Sequence, residues 1–329
     1  MTTFKEIRGT AIESVSSDPS NPEAGQIWYN NTIGVLKGNL LVAAAWASGG
    51  SLATARKSIG PAGTQTAGLA ISGAPGLPGP NATSATEEYN GSSWTAGGSI
   101  TNAAIGPFGF GTQTAAVGAG GYGNPNAVLN TTEEYDGSTW SPSNVLNTGR
   151  PAGAGSGTQT AGLATGGTVP PSYNLTEEYD GSTWTTGGNL GTGRFQNAAF
   201  GTQTATITAG GRTPGGAFTT TESYNGTSWT AVNSMNTSRY GLGGAGIQTA
   251  GVVFGGGIPT PTTLSATEEW DGTNWSNSAP LATARVLIGG LGTKSAALAF
   301  GGTPNDAAGV TNTEEFTSGT FATRKITTS

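Results

Sequence analysis

The chain contains no cysteine and no histidine. The first absence removes disulfides and thiolate metal sites. The second removes Ser-His-Asp catalysis, His-ligated zinc or copper, and the commonest general base at neutral pH. Charge is sparse too: 13 basic and 19 acidic residues in 329, net −6, with the basic residues scattered. A nucleic-acid groove needs them clustered, so no nucleic-acid partner is expected. No apolar run approaches the roughly 18 residues of a membrane helix, so no membrane insertion is expected. The opening MTTFKEIRGT has no apolar stretch, so no secretory signal is expected either. No amphipathic helical stretch stands out, which leaves an all-β chain.

Glycine, at 57 residues, is what the chain has in excess. That composition alone would suit a low-complexity segment, yet 26 aromatics recur at regular intervals, which disordered segments lack. The recurrence is an internal repeat. A TEEY-like element starts at Thr86, Thr132, Thr176, Thr221, Thr267 and Thr313, and a GTQT-like element at Gly63, Gly111, Gly157, Gly201, Gly246 and Gly292. Both series step by 44 to 48 residues, the period of four-stranded propeller blades.

Spacing within the unit is nearly invariant. Tyr to Trp is five residues (Tyr89–Trp94, Tyr135–Trp140, Tyr179–Trp184, Tyr224–Trp229), with Trp270–Trp275 and Phe316–Phe321 as variants. Trp to Arg is ten at Arg150, Arg194, Arg239 and Arg285, again from Trp46 to Arg56, and only Ala104 breaks the series. Length varies in one segment, between the Gly-Gly-like pair and the TEEY threonine, where it runs from 9 to 13 residues. Fixed spacing implies packed strands and one variable segment implies a solvent loop. In the fourth unit, Gln196–Phe200 reads as an inner strand and Gly201-Thr-Gln as a tight turn. A second strand then runs from Thr204 to Ala209. In the third unit, Thr176–Tyr179 is a third strand, Asp180-Gly181 a hairpin turn, and Trp184 opens an outer fourth strand.

These residues resemble the kelch repeat: a Gly-Gly pair after the second strand, then Tyr and Trp spaced along the third and fourth. The resemblance covers residues 46 to 329. It implies a β-propeller of the kelch and galactose-oxidase central-domain type, and the six repeats lead to an expectation of six four-stranded blades. Seven is the alternative, since Phe321 occupies a Trp-like position. Trp46, with no repeat before it, is expected to lie in an outer strand (residues 44 to 49) of the last blade, closing the ring. The division is then a segment at 1–43 and a propeller at 44–329.

The pair Glu177-Glu178 invites a catalytic reading, but six copies of one pair cannot be six active sites. The first Glu, present in all six units, is expected to pair with the Arg series, counting Arg324 as a member, because a buried carboxylate needs a partner. Asp180-Gly181-Ser182 lacks the dense oxygen ligands of a calcium loop. Galactose-oxidase chemistry needs His and Cys, both missing. A glycosidase needs two acids across a pocket, and outside the repeat only Glu6, Glu13, Asp18, Glu23 and Asp306 remain. A non-enzyme without metal or cofactor is expected.

Residues 1–43 differ in character. SDPSNPEAGQIWYNNTIGVLKGN contains a hairpin, Gln26–Tyr29 to Gly34–Lys37, that presents Ile27, Trp28, Tyr29, Ile33, Val35 and Leu36. A lone hairpin is marginal in water, so these residues are expected to contact another copy or another protein. This block, with the Thr-Gln-Thr-Ala and Thr-Glu-Glu-Tyr repeats, resembles structural proteins of marine tailed phages, cyanophages especially. The resemblance implies a virion location, other virion proteins as partners, and a homo-oligomeric tail fibre or surface decoration. Its loops would meet a host glycan or receptor through Tyr122, Asn124, Asn126, Tyr173, Arg212, Phe218 and Asp306.

Overall fold

The computed structural model describes residues 12–76, 81–125, 127–170, 173–259, 262–304 and 308–326. Among them every regular element is a β-strand. Two compact modules result: Met1–Ala45 with Ser318–Ser329, and Trp46–Thr317.

The larger module is β-propeller-like. Each repeat forms one four-stranded antiparallel sheet with its strands in chain order, for example Ala198–Thr202, Ala205–Ala209, Thr221–Tyr224 and Trp229–Val232. The first strand runs through Gly201 and Thr202, two residues into the expected turn, which falls instead on Gln203-Thr204. Gly201 sits at φ +125, where a side chain would strike the Ala205 carbonyl. The sixth sheet is composite: Gly289–Gly292, Ala296–Phe300 and Thr313–Thr317 take Ala45–Ser48 as their fourth strand.

The sheets meet through their faces. Buried clusters draw on neighbouring repeats, as with Phe108, Phe110, Val117, Tyr179 and Trp184 from the second and third. The cluster of Leu52, Ile59, Trp94, Leu291 and Phe300 joins the first repeat to the sixth. First strands approach closely: a Cβ on Gly290 would lie 2.5 Å from Gly244 N, and one on Gly109 2.6 Å from the Gly60 carbonyl carbon. Backbone excludes a side chain at those two positions, while Phe108, Phe110, Phe200 and Leu291 on first strands join the buried clusters and the repeat tryptophans lie mostly on the fourth strands.

Three further layers of bonds connect consecutive repeats. Each fourth-strand Trp donates its indole N–H to the TEEY threonine of the preceding repeat: Trp140 to Thr86 (3.0 Å), Trp184 to Thr132 (2.9 Å), Trp229 to Thr176 (3.0 Å) and Trp275 to Thr221 (3.2 Å). Trp94 bonds Thr313 (2.9 Å) and Trp46 bonds Thr267 (3.1 Å), so Trp46 serves the sixth sheet as the other tryptophans serve theirs. Gln113 Nε2 donates to the Gly68 and Tyr89 carbonyls of the first repeat, and Gln65 to those of Ala297 and Phe316 in the sixth. Nearer the first strands, Ser58, Gly106, Ala152, Gln196, Gly241 and Leu287 all adopt left-handed φ between 53° and 62°. The N–H of each donates to the carbonyl of the one before, at 2.6–2.9 Å, and Ser58 donates to Leu287 at 3.0 Å. The line of donors returns to its start.

In the smaller module, Ile27–Asn30 and Val35–Val42 form the expected hairpin. Glu13–Val15 flanks it in parallel and Thr320–Lys325 flanks it on the other side. The hairpin is therefore not alone. Phe321 lies opposite Leu41, so it opens no further repeat strand, and Arg324 lies opposite Gly38, outside the Arg series of the repeats. Trp28 is fully buried, with its indole N–H on Asp18 Oδ1 at 3.1 Å. Asn30 and Lys37 also donate to Asp18.

Trp46 packs on Phe254 and Phe316, with centroids 4.9 and 5.0 Å away, besides its bonds to Thr267 and the Ala279 carbonyl. Replacing a packed Trp by Ala costs about 3 kcal/mol. Trp46→Ala should lower stability by about that much in chemical denaturation. Unfolding at the wild-type denaturant concentration would show that this strand does not hold the sixth sheet.

Candidate functional site

The acidic pairs were the first chemical candidate. Glu87, Glu177, Glu222, Glu268 and Glu314 are buried and pair with Arg56, Arg150, Arg194, Arg239 and Arg285, themselves fully buried. The second carboxylate oxygen takes a backbone N–H from the incoming linker, as from Gly191 to Glu222 at 2.7 Å. The guanidinium in turn donates to carbonyls at the ends of the second and third strands, as Arg194 does to Gly210 and Thr220. Each pair thus clamps the linker entering its sheet. Burial pushes these arginines below the usual guanidinium range and the facing Glu opposes it. Where Ala104 replaces Arg, Glu133 accepts from Thr101 N, Asn102 N and Asn102 Nδ2 at 2.7–2.9 Å. Both oxygens of each of these carboxylates thus accept scaffold bonds.

The second Glu faces the opposite side of the strand and accepts from the tyrosine of the next repeat. Tyr89 bonds Glu315 (2.5 Å), Tyr135 bonds Glu88 (2.6 Å), Tyr224 bonds Glu178 (2.5 Å), and Tyr179 bonds Glu134. Burial first, then these carboxylates, push the four hydroxyls up to about 12. The Asp180 carboxyl is held down to about 2, mainly by the N–H groups of Thr183 and Ser182 that close its turn. It is a turn staple. Among the described residues no cluster of three potential metal ligands forms.

Over the second-to-third-strand loops the repeats diverge. Asn126 and Asp306 lie outside the described residues. Tyr122 is exposed on a short hairpin with Ala127–Val128. Asn124 holds the backbone N–H and carbonyl of Ala82 with its amide, so its side chain is spent on joining loops. Phe218 lies 5.9 Å from the Arg194 guanidinium. Tyr173 stacks on Phe195 with centroids 5.6 Å apart. The Arg212 guanidinium lies 5.3 Å from the Phe195 ring and 4.0 Å from that of Tyr240.

A run of Tyr173, Phe195, Arg212 and Tyr240 therefore crosses the third to fifth repeats. Sequence reading found Tyr173 and Arg212 but missed Phe195 and Tyr240. Both follow directly on a clamp arginine, a position held by Lys57, Ile105, Pro151 and Val286 elsewhere. Two aromatics side by side in that column were the available signal. Backbone bridges Phe195↔Arg212 and Tyr240↔Gly257 fix their heights, and Gly257 leaves room beside the Tyr240 ring.

No family model matches the chain, and no curated protein resembles it at a significant level.

Removing one partner of a buried ion pair costs about 3–5 kcal/mol. Glu177→Gln, which keeps one acceptor for Asn147, should lose about 3 kcal/mol by equilibrium unfolding; an unchanged midpoint would contradict the clamp. The tyrosines give a pH test. An unfolded Tyr ionises near about 10, whereas these four hold their protons to about 12. Their contribution to stability is complete below the first value and lost as pH rises through the second. Their tyrosinate absorbance should grow in together with loss of β circular dichroism as pH nears 12. Full tyrosinate signal near pH 10 over an intact fold would contradict it.

Proposed function

We propose that the repeats close as a six-bladed β-propeller of kelch type. In this reading the protein is a non-enzymatic structural and binding component of a tailed-phage particle. One observation carries this reading: the repeated acids, arginines and tyrosines are consumed in scaffold bonds, while the chemistry that differs between repeats gathers on the loops. Such a scaffold displays a surface and performs no reaction at its repeated positions. Donors running from the first repeat to the sixth, through Ser58, Gln65, Tyr89 and Trp94, support closure at six. Host glycans or receptors are the partners suited to the loops.

The smaller module is the attachment part. Trp28 is buried and cannot serve as a contact, but Tyr29 (40% exposed), Ile33 (56%), Leu41 (63%) and Phe321 (51%) lie open. Leu41 and Phe321 are cross-strand partners and so share one face. Exposed apolar area of this kind marks an interaction surface. Leu41→Ser with Phe321→Ser should cut self-association in sedimentation velocity, or incorporation into particles, while leaving the repeat module folded. Assembly at wild-type levels would refute the attachment role.

A further inference from the structure

Six arginines belong to the repeat module, and five of them are the clamps of Glu87, Glu177, Glu222, Glu268 and Glu314. Arg212 is the exception. No described carboxylate or carbonyl accepts from its guanidinium, and its Nε is buried without a partner. A partly buried cation without an anion is costly in a protein, and this chain is acidic overall, with six more acids than bases. Its surroundings hold it in place all the same. Tyr240 lies 4.0 Å below and Phe195 5.3 Å away, with Tyr173 stacked behind Phe195. Aromatic faces stabilise and orient a guanidinium without neutralising it. With Tyr240 stacked on the plane, the N–H edge remains for a ligand, and that edge matches an oxyanion bidentately.

Scaffold alone does not explain this arrangement. At the Arg212 position the other repeats carry Ala74, Tyr122, Thr168, Gly257 and Thr303, and their sheets form without a cation there. The half-buried Phe195 and Tyr173 rings offer flat apolar area near the charge, which suits a sugar ring carrying an acidic group, while the buried Tyr240 ring supports the guanidinium. We propose that Arg212, with Phe195, Tyr240 and Tyr173, forms an anion subsite for an acidic saccharide. The carboxylate or sulfate would sit on the Arg212 N–H edge and the sugar ring against Phe195 and Tyr173, with Tyr240 holding the guanidinium in place. The inference rests on the reading of the loops as a glycan-binding surface and names the ligand class.

The test uses the full chain with three immobilised polysaccharides: a polyuronate for carboxylate, dextran sulfate for sulfate, and dextran as the neutral control. At least one acidic polymer should bind, and the stronger of the two identifies the anion. Arg212→Gln should weaken that binding about tenfold or more, the scale of a charge-assisted hydrogen bond. Arg212→Lys, which keeps the charge but loses the fork, should also weaken it. Arg324→Gln makes the same change in net charge in the other module and should leave binding unaltered. Thermal melts of each variant control for folding, and where Arg212→Gln melts early the folded Arg212→Lys decides. Equal losses for Arg212→Gln and Arg324→Gln would reveal a diffuse charge effect and overturn the proposal. Binding of dextran that is indifferent to Arg212 would overturn it while sparing the glycan-binding reading. Failure to bind any of the three would overturn the subsite, and a blank array of host glycans would then remove the broader reading as well.

Discussion

Close approach of backbones at the first strands governs this molecule. Where a Cβ on Gly290 or Gly109 would lie 2.5 or 2.6 Å from a neighbouring main chain, no larger residue can stand. Glycine at these positions is a packing requirement, and many other glycines take the positive φ of turns, although the composition resembles that of a low-complexity chain. Between those glycines the first strands still bury Phe108, Phe110, Phe200 and Leu291. Further apolar area comes from the Trp and Tyr residues of the outer strands, and polar cross-links join neighbouring sheets.

Those cross-links explain the exceptions in the repeat. The fourth repeat has Ser223 where the others have a second Glu, and the fifth has Trp270 where a Tyr would have bonded it. The two changes compensate: Trp270 donates to the Gln248 carbonyl, and Ser223 Oγ accepts from Gln248 Nε2. The sixth has Phe316 in place of Tyr, which leaves Glu269 without its hydroxyl donor. Ser278 takes that carboxylate at 2.6 Å, and Lys294, at the Gln position, lies 3.6 Å away. Without Arg at position 104, Ser72 Oγ holds the N–H and carbonyl of Ala104. An unpartnered group at a junction costs more than a substituted one, so changes on facing repeats come in matched sets.

Much of the fold was legible because equal spacing reports equal geometry. The four strands, the Glu–Arg clamps and the displaced role of Trp46 all follow from intervals of five and ten residues. Contacts between repeats were less so. Alternation along a strand says that Glu177 and Glu178 face opposite sides, but not that Glu178 awaits Tyr224. The left-handed residues carry no common signature, since Ser58, Ala152, Gln196 and Leu287 share the conformation with two glycines. Pairing of 35–42 with 320–325 joins segments almost a full chain apart, and no local pattern announces it. The burial of Trp28 was hidden for a similar reason: Asp18, its partner, stands ten residues away in a Pro-bounded turn. On the loops, single residues could be picked out, but the stacking of Phe195 and Tyr240 about Arg212 depended on which repeats stand side by side.

The composite sixth sheet also imposes an order of events. Trp46 leaves the ribosome early, yet its hydrogen-bond partner Thr267 follows 221 residues later and the rest of its sheet later still. Until then the strand Ala45–Ser48 has no sheet of its own to join. Repeats one to five can stack as they emerge, each supported by the one before. That sheet can be completed only when synthesis has passed Thr317, so the strand around Trp46 waits unpaired while the repeats are made. Unpaired strand edges recruit other chains.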